Sequence, residues 1–344
     1  MTTQPAPRSA ARTARTARAV LSCVLLGALA LAGATGCGGP AAAPADGRGD
    51  APAARKAAPD AAGAVDLGRR ITDYAAGMTA DGSYRVPTER ERRAIADGVR
   101  ALLDGDRAAA ARRLSGVGYA VHTLVDSGGG AGARYAEIAD ATHEGEVRRG
   151  WGRIYADLRG GPARWQVQVP HPSADQRTEQ LGIGLLRGAP GGVLVLAGAH
   201  RAADSGAGPD AADVAHRRDS VFAAVSDALA DRRLPAVQVH GFADSSLPDH
   251  DVVVSPGSGD AGLPSARRLA AAYRAQGMRV CEVWERYCGR LEGRTNVEGE
   301  YAGEAGVPFV HVEHNRRVRD DDGLVAKAVR ALVEIAKTWG AGSR

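Results

Sequence analysis

The sequence predicts an α/β domain: a mostly parallel central sheet with helices on both faces and an antiparallel edge, preceded by a helical segment. Three observations carry this. Four apolar runs, at 165–169, 193–197, 236–239 and 309–312, alternate with stretches of helical periodicity, which is the pattern of strands joined by crossover helices. Three shorter runs of β-type residues, separated by glycine-rich turns, come before them. The chain has 344 residues, 44% of them hydrophobic and 24% charged, so it is long enough and apolar enough to bury a substantial core.

The first 36 residues read as an export signal and not as part of that domain. Arg8, Arg12, Arg15 and Arg18 precede an apolar stretch at 19–32, which is too short for a conventional spanning helix. The stretch ends in Ala34-Thr35-Gly36-Cys37, which resembles a bacterial lipobox, with small residues before a cysteine. That resemblance implies acylation of Cys37, of the palmitate class, and a chain held by its lipid on the outer face of the bacterial cell membrane. Residues 37–64, rich in Pro, Ala and Gly and without periodicity, form a tether. The folded domain then runs over 65–344, divided into a helical preamble at 65–117 and the sheet core at 118–344.

The cysteines suit that compartment. Cys23 and Cys37 belong to the export signal, which leaves Cys281 and Cys288 as a local disulfide. No His or further Cys stands near this pair at ligand spacing, so a metal there is not expected. Net charge is +4, and no basic stripe with interleaved aromatics occurs, so no nucleic-acid partner is expected.

Within the preamble, 66–78 and 87–114 have helical periodicity. The second opens on Pro87-Thr88-Glu89 and carries Ile95, Val99, Leu102 and Leu103 along one face. Segments 118–126, 134–139 and 153–158 are the antiparallel edge strands. Helices are expected at 178–187, 212–230, 264–276 and 322–339, with further strands at 252–254 and 279–283.

Parallel sheets collect their chemistry at the carboxyl ends of the strands. The chain has nine histidines, and His171, His200 and His240 stand directly past apolar runs, with Glu313-His314-Asn315 at the end of a fourth. His171 lies in Pro170-His171-Pro172-Ser173-Ala174-Asp175, ahead of a helix whose first turn carries Glu179. Such a turn can aim an imidazole and a carboxylate at one point, as a zinc ion requires, although Asp175 or Thr178 as a helix cap and Glu179 as a partner of the helix dipole account for the same residues. His240 ends an interior strand, and Gly241 after it lets the backbone pass close to an ion or substrate. Two histidines and a carboxylate leave one position for water, the arrangement of catalytic zinc. Glu313 then supplies a carboxylate that takes a proton from the zinc-activated water and passes it to a leaving amine; its plainer use is to pair with Arg316, Arg317 or Arg319. His314 and Asn315 follow as groups that position substrate or support the ligands.

In order and strand position these residues resemble the zinc-dependent N-acetylmuramoyl-L-alanine amidases. They are similar also to the wider group containing zinc carboxypeptidases and N-formylglutamate amidohydrolases, which have a phosphorylase/hydrolase-like α/β fold. The resemblance extends over about 166–333. It implies zinc held by His171, Glu179 and His240, with Glu313 as the catalytic carboxylate and Arg218 as an arginine on the helix before the second histidine strand. The turn Pro172-Ser173-Ala174-Asp175 departs from the glycine-rich turn of the amidases, and this makes Asp175 a rival to Glu179.

Substrate contacts are expected from His200, Arg201, Asp213, His216 and Arg294, the last within a polar, Gly-flanked segment at 291–299 that has the composition of a binding loop. Arg201 and Arg294 suit a substrate carboxylate; surface ion pairs are the other use of such residues. Asp213 and His216 at i and i+3 would share one helix face. No phosphate-binding loop, dinucleotide fingerprint or Gly-x-Ser-x-Gly elbow occurs. Two functions follow: a surface-tethered zinc amidohydrolase or peptidase acting on an amide bond in peptidoglycan or a small peptide, and a non-catalytic lipoprotein binding module of the same fold. The presence of all four of His171, Glu179, His240 and Glu313 favours the enzyme.

Overall fold

A computed structural model describes residues 63–130, 132–208 and 210–341. The export segment, Cys37 and nearly all of the tether fall outside these residues. The domain opens with strand β1 (Gly63–Val65), paired in parallel with β2, so the fold takes in the last two residues assigned above to the tether. Helices α1 (Leu67–Ala76), α2 (Glu89–Leu103) and α3 (Arg107–Ser115) follow, then β2 (Tyr119–Asp126), β3 (Arg134–Asp140), α4 (His143–Arg149) and β4 (Arg153–Asp157). The core units come next: β5 (Trp165–Val169), α5 (Thr178–Gly188), β6 (Gly192–Leu196), α6 (Val221–Asp231), β7 (Ala236–Phe242) and β8 (Val252–Ser255). The chain closes with α7 (Leu263–Ala275), β9 (Val280–Glu282), α8 (Val297–Glu304), β10 (Phe309–Asn315), α9 (Arg316–Asp320) and α10 (Asp322–Ala341).

The strands form one ten-stranded sheet in the order β1-β2-β3-β4-β6-β5-β7-β10-β8-β9. The central run β6-β5-β7-β10 is parallel, whereas β2-β3-β4 form the antiparallel edge predicted from the short β segments. One chain reversal in the helical preamble differs from the sequence reading. The single helix expected over 87–114 is two, because Asp104 stops α2 and Gly105, at φ +82°, turns the chain into the Asp106 cap of α3. Thr88 and Glu91 close a reciprocal capping box at the start of α2, which explains why its opening was legible.

Strand alternation gives the centre of the sheet two unlike faces. Val167 and Val169, Leu194 and Leu196, Val237 and Val239, and Val310 and Val312 point into one apolar core with residues of α1, α5, α7 and α10. The side chains between them on β5, β7 and β10 include Gln166, Gln168, Gln238, His240, His311 and Glu313, all buried. That second face is covered toward α6 and α8, with the other main core under α2, α3 and α6. Stability is thus concentrated on one side of the central strands, and the chemistry-bearing groups line the other. Among the described residues, no helix is long and apolar enough to cross a membrane.

Candidate metal centre

The site is assembled at the carboxyl ends of β5 and β7. After β5 the chain enters a tight turn in which the Asp175 amide donates to the His171 carbonyl at 2.9 Å. This turn carries Asp175 back beside His171. His240 lies on β7, the neighbouring parallel strand, whose Gln238 is in register with Gln168. The two imidazole rings meet edge to face, 4.9 Å between centroids.

Three atoms converge. His171 Nδ1 lies 3.3 Å, and His240 Nδ1 3.2 Å, from the same Asp175 oxygen, Oδ2. The far ring nitrogens are both held: His171 Nε2 by Asp213 Oδ1 at 2.8 Å, and His240 Nε2 by Gln238 Oε1 at 3.0 Å. A carboxylate oxygen only accepts, so His171 donates through Nε2, and in the neutral imidazole Nδ1 carries a lone pair; that Nδ1 is buried and makes no well-formed hydrogen bond. Acceptors facing one another at this distance ask for a cation between them. Ligands about 2.0–2.1 Å from a tetrahedral zinc lie about 3.3 Å from one another, so the observed separations and the N/O donor set fit such an ion.

A proton and a metal ion compete for these same donors. Burial alone would lower the His171 pKa, but the Asp175 and Asp213 carboxylates outweigh it and hold the value above that of a free imidazole. Burial would raise Asp175, yet the two histidines keep it well below the usual carboxylate range. Burial pushes His240 down, against the pull of Asp175. Burial would raise Asp213, but its ion pairs with His171 and Arg201 hold it below the usual carboxylate value.

Arg319 locks the turn. Its buried guanidinium donates to the carbonyls of Asp175 and Gln176 (2.6 Å to Gln176), to Phe242 O at 3.0 Å and to His314 O at 3.1 Å. It passes over Gly241, where a Cβ would collide with it, so this glycine admits an arginine and not an ion or substrate. Asp175 is thereby fixed from behind.

On β10, Glu313 is in register with His240 and shares its face. Its Oε2 is buried without a partner, and burial, helped by the Asp175 charge, raises its pKa well above the usual value. His311 lies two residues earlier on the same face. Its Nε2 is 3.8 Å from Glu313 Oε1, its ring centroid 4.7 Å from that of His240, and its Nδ1 also lacks a partner. His240, His311 and Glu313 form a second group whose ligand-type atoms lie within 4.8 Å of one another, beside the His171, Asp175 and His240 group.

Several expected residues lie elsewhere. Glu179 is in neither group; it sits in the first turn of α5, buried, with one oxygen 3.4 Å from Gln180 Nε2 and the other unpartnered. Asp175 takes the carboxylate position because the turn closes at i+4, before the helix begins. Asp213 and His216 do not share a helix face: they flank a short 3-10 turn (Val214–His216) ahead of α6, and Asp213 supports His171 while the exposed His216 contacts the Thr295 carbonyl at 3.2 Å. Arg218 pairs with Glu300 at 2.7 Å on the surface, and the exposed Arg294 pairs with Glu292 at 2.7 Å. The segment read as a binding loop at 291–299 does border the site: Gly293 packs on the His311 ring, Asn296 Nδ2 lies 3.3 Å from His240 Nε2, and the segment runs into α8, whose Glu298 accepts from Gln238. His314 points to the apolar face, where it meets the Tyr273 hydroxyl at 2.8 Å and burial lowers its pKa to about 3. Asn315 caps α9 by accepting from Val318 N at 2.8 Å. Arg201 is tied to Asp213, and His200 is partly exposed beside it, its pKa lowered by burial and by Arg201 and His171. Cys281 and Cys288 are bonded.

His311, Asn296 and Gln238 were not singled out from the sequence. For His311 the signal was present: the alternation in Phe309–Asn315 that places Glu313 on the site face places His311 there too.

No protein-family profile matches the sequence, and no curated protein matches it. Solved structures give weak likenesses. An N-formylglutamate amidohydrolase from Ralstonia eutropha is 16% identical over 55% of this chain and 98% of its own, with a TM-score of 0.36. A bacteriophage poly-gamma-glutamate hydrolase is 14% identical over 56% and 90%, with a TM-score of 0.37. An N-acetylmuramoyl-L-alanine amidase of Nostoc punctiforme is 12% identical over 52% and 98%, with a TM-score of 0.29. These values do not place the chain in a family.

Proposed function

We propose that the protein is a metal-dependent hydrolase of amide bonds, with zinc as its ion, acting on peptidoglycan or small peptides outside the cell. One observation carries the reading: His171 Nδ1, His240 Nδ1 and Asp175 Oδ2 converge beside an unpartnered buried carboxylate, Glu313. A cation held by these three residues would polarise a substrate carbonyl and acidify water. His171 and His240 would hold it through nitrogens whose opposite partners, Asp213 and Gln238, fix each ring. Glu313 receives the proton of the attacking water and delivers it to the departing amine nitrogen, so the acyl carbon gains the hydroxyl and the carboxylate is regenerated. Burial favours the protonated form of Glu313, and positive charge nearby opposes this, so its service as a base is tied to the loaded site.

A cavity of about 830 Å³ opens beside the loop after β6, with Tyr74, Met78, His143, Arg153, Ala199 and His200 in its wall. Its wall includes none of His171, Asp175, His240 and Glu313. Cys37 is the expected acyl site, and incorporation of an alkyne-labelled fatty acid that disappears in Cys37→Ala tests the tether. The central experiment measures bound metal in the full chain. About one zinc per chain, lost in folded His171→Ala and His240→Ala, together with hydrolysis of muropeptides or acylated amino acids that Glu313→Gln abolishes, is the expected result. Failure to bind any divalent metal overturns the reading. Metal retention without turnover on any amide substrate would leave a binding module.

A further inference from the structure

We infer that three buried glutamines, Gln166, Gln168 and Gln238, fix the tautomer of His240 and so aim its Nδ1 lone pair at Asp175 and the ion position. The inference rests on the reading of His171, Asp175 and His240 as ligands. All three glutamines lie on the site face of β5 and β7 and are at most 1% exposed. An amide side chain can be turned either way, so something must set its direction.

The chain of bonds has a fixed starting point. Gln166 Nε2 donates to the Leu234 carbonyl at 3.2 Å and faces the Ser226 carbonyl at 3.5 Å. Backbone carbonyls only accept, so this end must be the NH2 group, and Oε1 must point the other way. Gln168 Nε2 donates to that Oε1 at 2.9 Å. Gln168 Oε1 then accepts from Gln238 Nε2 at 3.0 Å, and the same nitrogen donates to Glu298 Oε2 at 3.0 Å. Gln238 is left with its oxygen toward His240. That oxygen accepts from Asn296 Nδ2 and from His240 Nε2, the latter at 3.0 Å. Asn296 Nδ2 also lies 3.3 Å from His240 Nε2, but its shorter contact is to the Gln238 oxygen, so that oxygen assigns the His240 hydrogen to Nε2 and leaves Nδ1 as a lone pair 3.2 Å from Asp175 Oδ2.

Reversing any one amide places donor against donor or oxygen against oxygen inside the protein, where no water compensates. The direction set at Leu234 is thus transmitted across two strands to an imidazole that Gln166 does not touch. His171 solves the same problem with one charged residue, Asp213. His240 uses neutral amides, which fix the ring without adding negative charge beneath Glu313. Gln238 and the glutamines behind it are positioning residues, since they act on the ion only through His240.

The test uses full-length protein labelled with 15N-histidine, and reads two-bond 1H–15N correlations of the metal-free form together with zinc affinity by chelator competition. His240 signals are assigned by their loss in His240→Ala. The wild type should show His240 as the Nε2–H tautomer. Gln238→Leu should mix the tautomers and weaken zinc by about 10- to 100-fold, the usual range for loss of a group that orients a ligand. Gln166→Leu should move both readouts in the same direction by less, and Ser226→Ala, which removes a hydroxyl but keeps the carbonyl, should move neither. A wild-type His240 protonated at Nδ1 overturns the inference. So do folded Gln238→Leu and Gln166→Leu variants with unchanged tautomer and unchanged zinc affinity. Should the wild type bind no zinc, the metal reading fails on its own, and the tautomer spectrum still decides whether the glutamines set His240.

Discussion

Two corners of one buried site are built on opposite plans. At the His171, Asp175 and His240 corner the groups are held from behind: Asp213 and Gln238 hold the rings, Arg319 holds the turn that carries Asp175, and the unpartnered atom is His171 Nδ1, aimed at Asp175. At the His311 and Glu313 corner, on the adjacent strand, His311 Nδ1 and Glu313 Oε2 are buried with no partner at all. Buried polar atoms without partners destabilise a fold, so an arrangement that leaves two of them on one strand face is expected where function requires it. The first corner is built to hold something still. The second is built to keep its lone pairs and its proton available to a reactant.

The largest effect should come from breaking the holding corner. Asp175→Asn replaces the shared carboxylate oxygen and should abolish metal binding, whereas Glu179→Gln, one helical turn further on, should leave metal content unchanged. Metal per chain by mass spectrometry separates the two. Loss of metal in Glu179→Gln with retention in Asp175→Asn would transfer the ligand role to α5.

The available corner should break differently. Glu313→Gln is expected to keep its metal and lose about 10²- to 10⁴-fold in turnover, the range set by removing a general base. Because the native carboxyl is buried and short of partners, the same variant should be at least as stable as the wild type in denaturant titrations near neutral pH. A variant that loses metal along with activity would make Glu313 a ligand and erase the contrast between the corners.

Asp213→Asn tests how far holding depends on charge. The amide can still face His171 but no longer enforces the Nε2–H form or offsets Arg201, so metal affinity should fall by about 10- to 100-fold with the fold intact. An unchanged affinity would show that the turn geometry alone aims His171.

Much of this contrast was readable before the fold was known, and the exceptions have physical causes. The strand-end rule found His171, His240 and Glu313 because the parallel strands are well marked by valine and leucine runs. It passed over His311 because the rule looks past strand ends, and this residue sits inside its strand on the same face as Glu313. Asp175 and Glu179 could not be separated from the sequence, since both follow His171 within a turn and a half; only the closure of the turn by the Asp175 amide decides between them. Arg218 and Arg294 were drawn to the site by chain position, but local carboxylates at Glu300 and Glu292 claim them. The glutamine chain left no sequence signal, because alternating Gln and Val in a strand normally means a solvated face. Here α6 and α8 cover that face.

That coverage leads to the smallest effect. Glu298, on α8, accepts from Gln238 through one oxygen while the other is buried without a partner, and burial raises its pKa to about 8. The folded value lies above that of an unfolded glutamate, near 4.5, so between these two values the folded chain holds a proton that the unfolded chain has released. Stability from this group is therefore complete below about pH 4.5, declines as the pH rises, and is lost once the pH passes about 8. Glu298→Gln keeps an oxygen for Gln238 and cannot ionise. Its unfolding free energy should match the wild type near pH 4 and exceed it by a few kcal/mol near pH 9, as read from denaturant midpoints at the two pH values. Equal pH slopes in the two proteins would mean that Glu298 finds compensation for its charge, and the polar face would then be less dry than the apolar one by more than its side chains alone require.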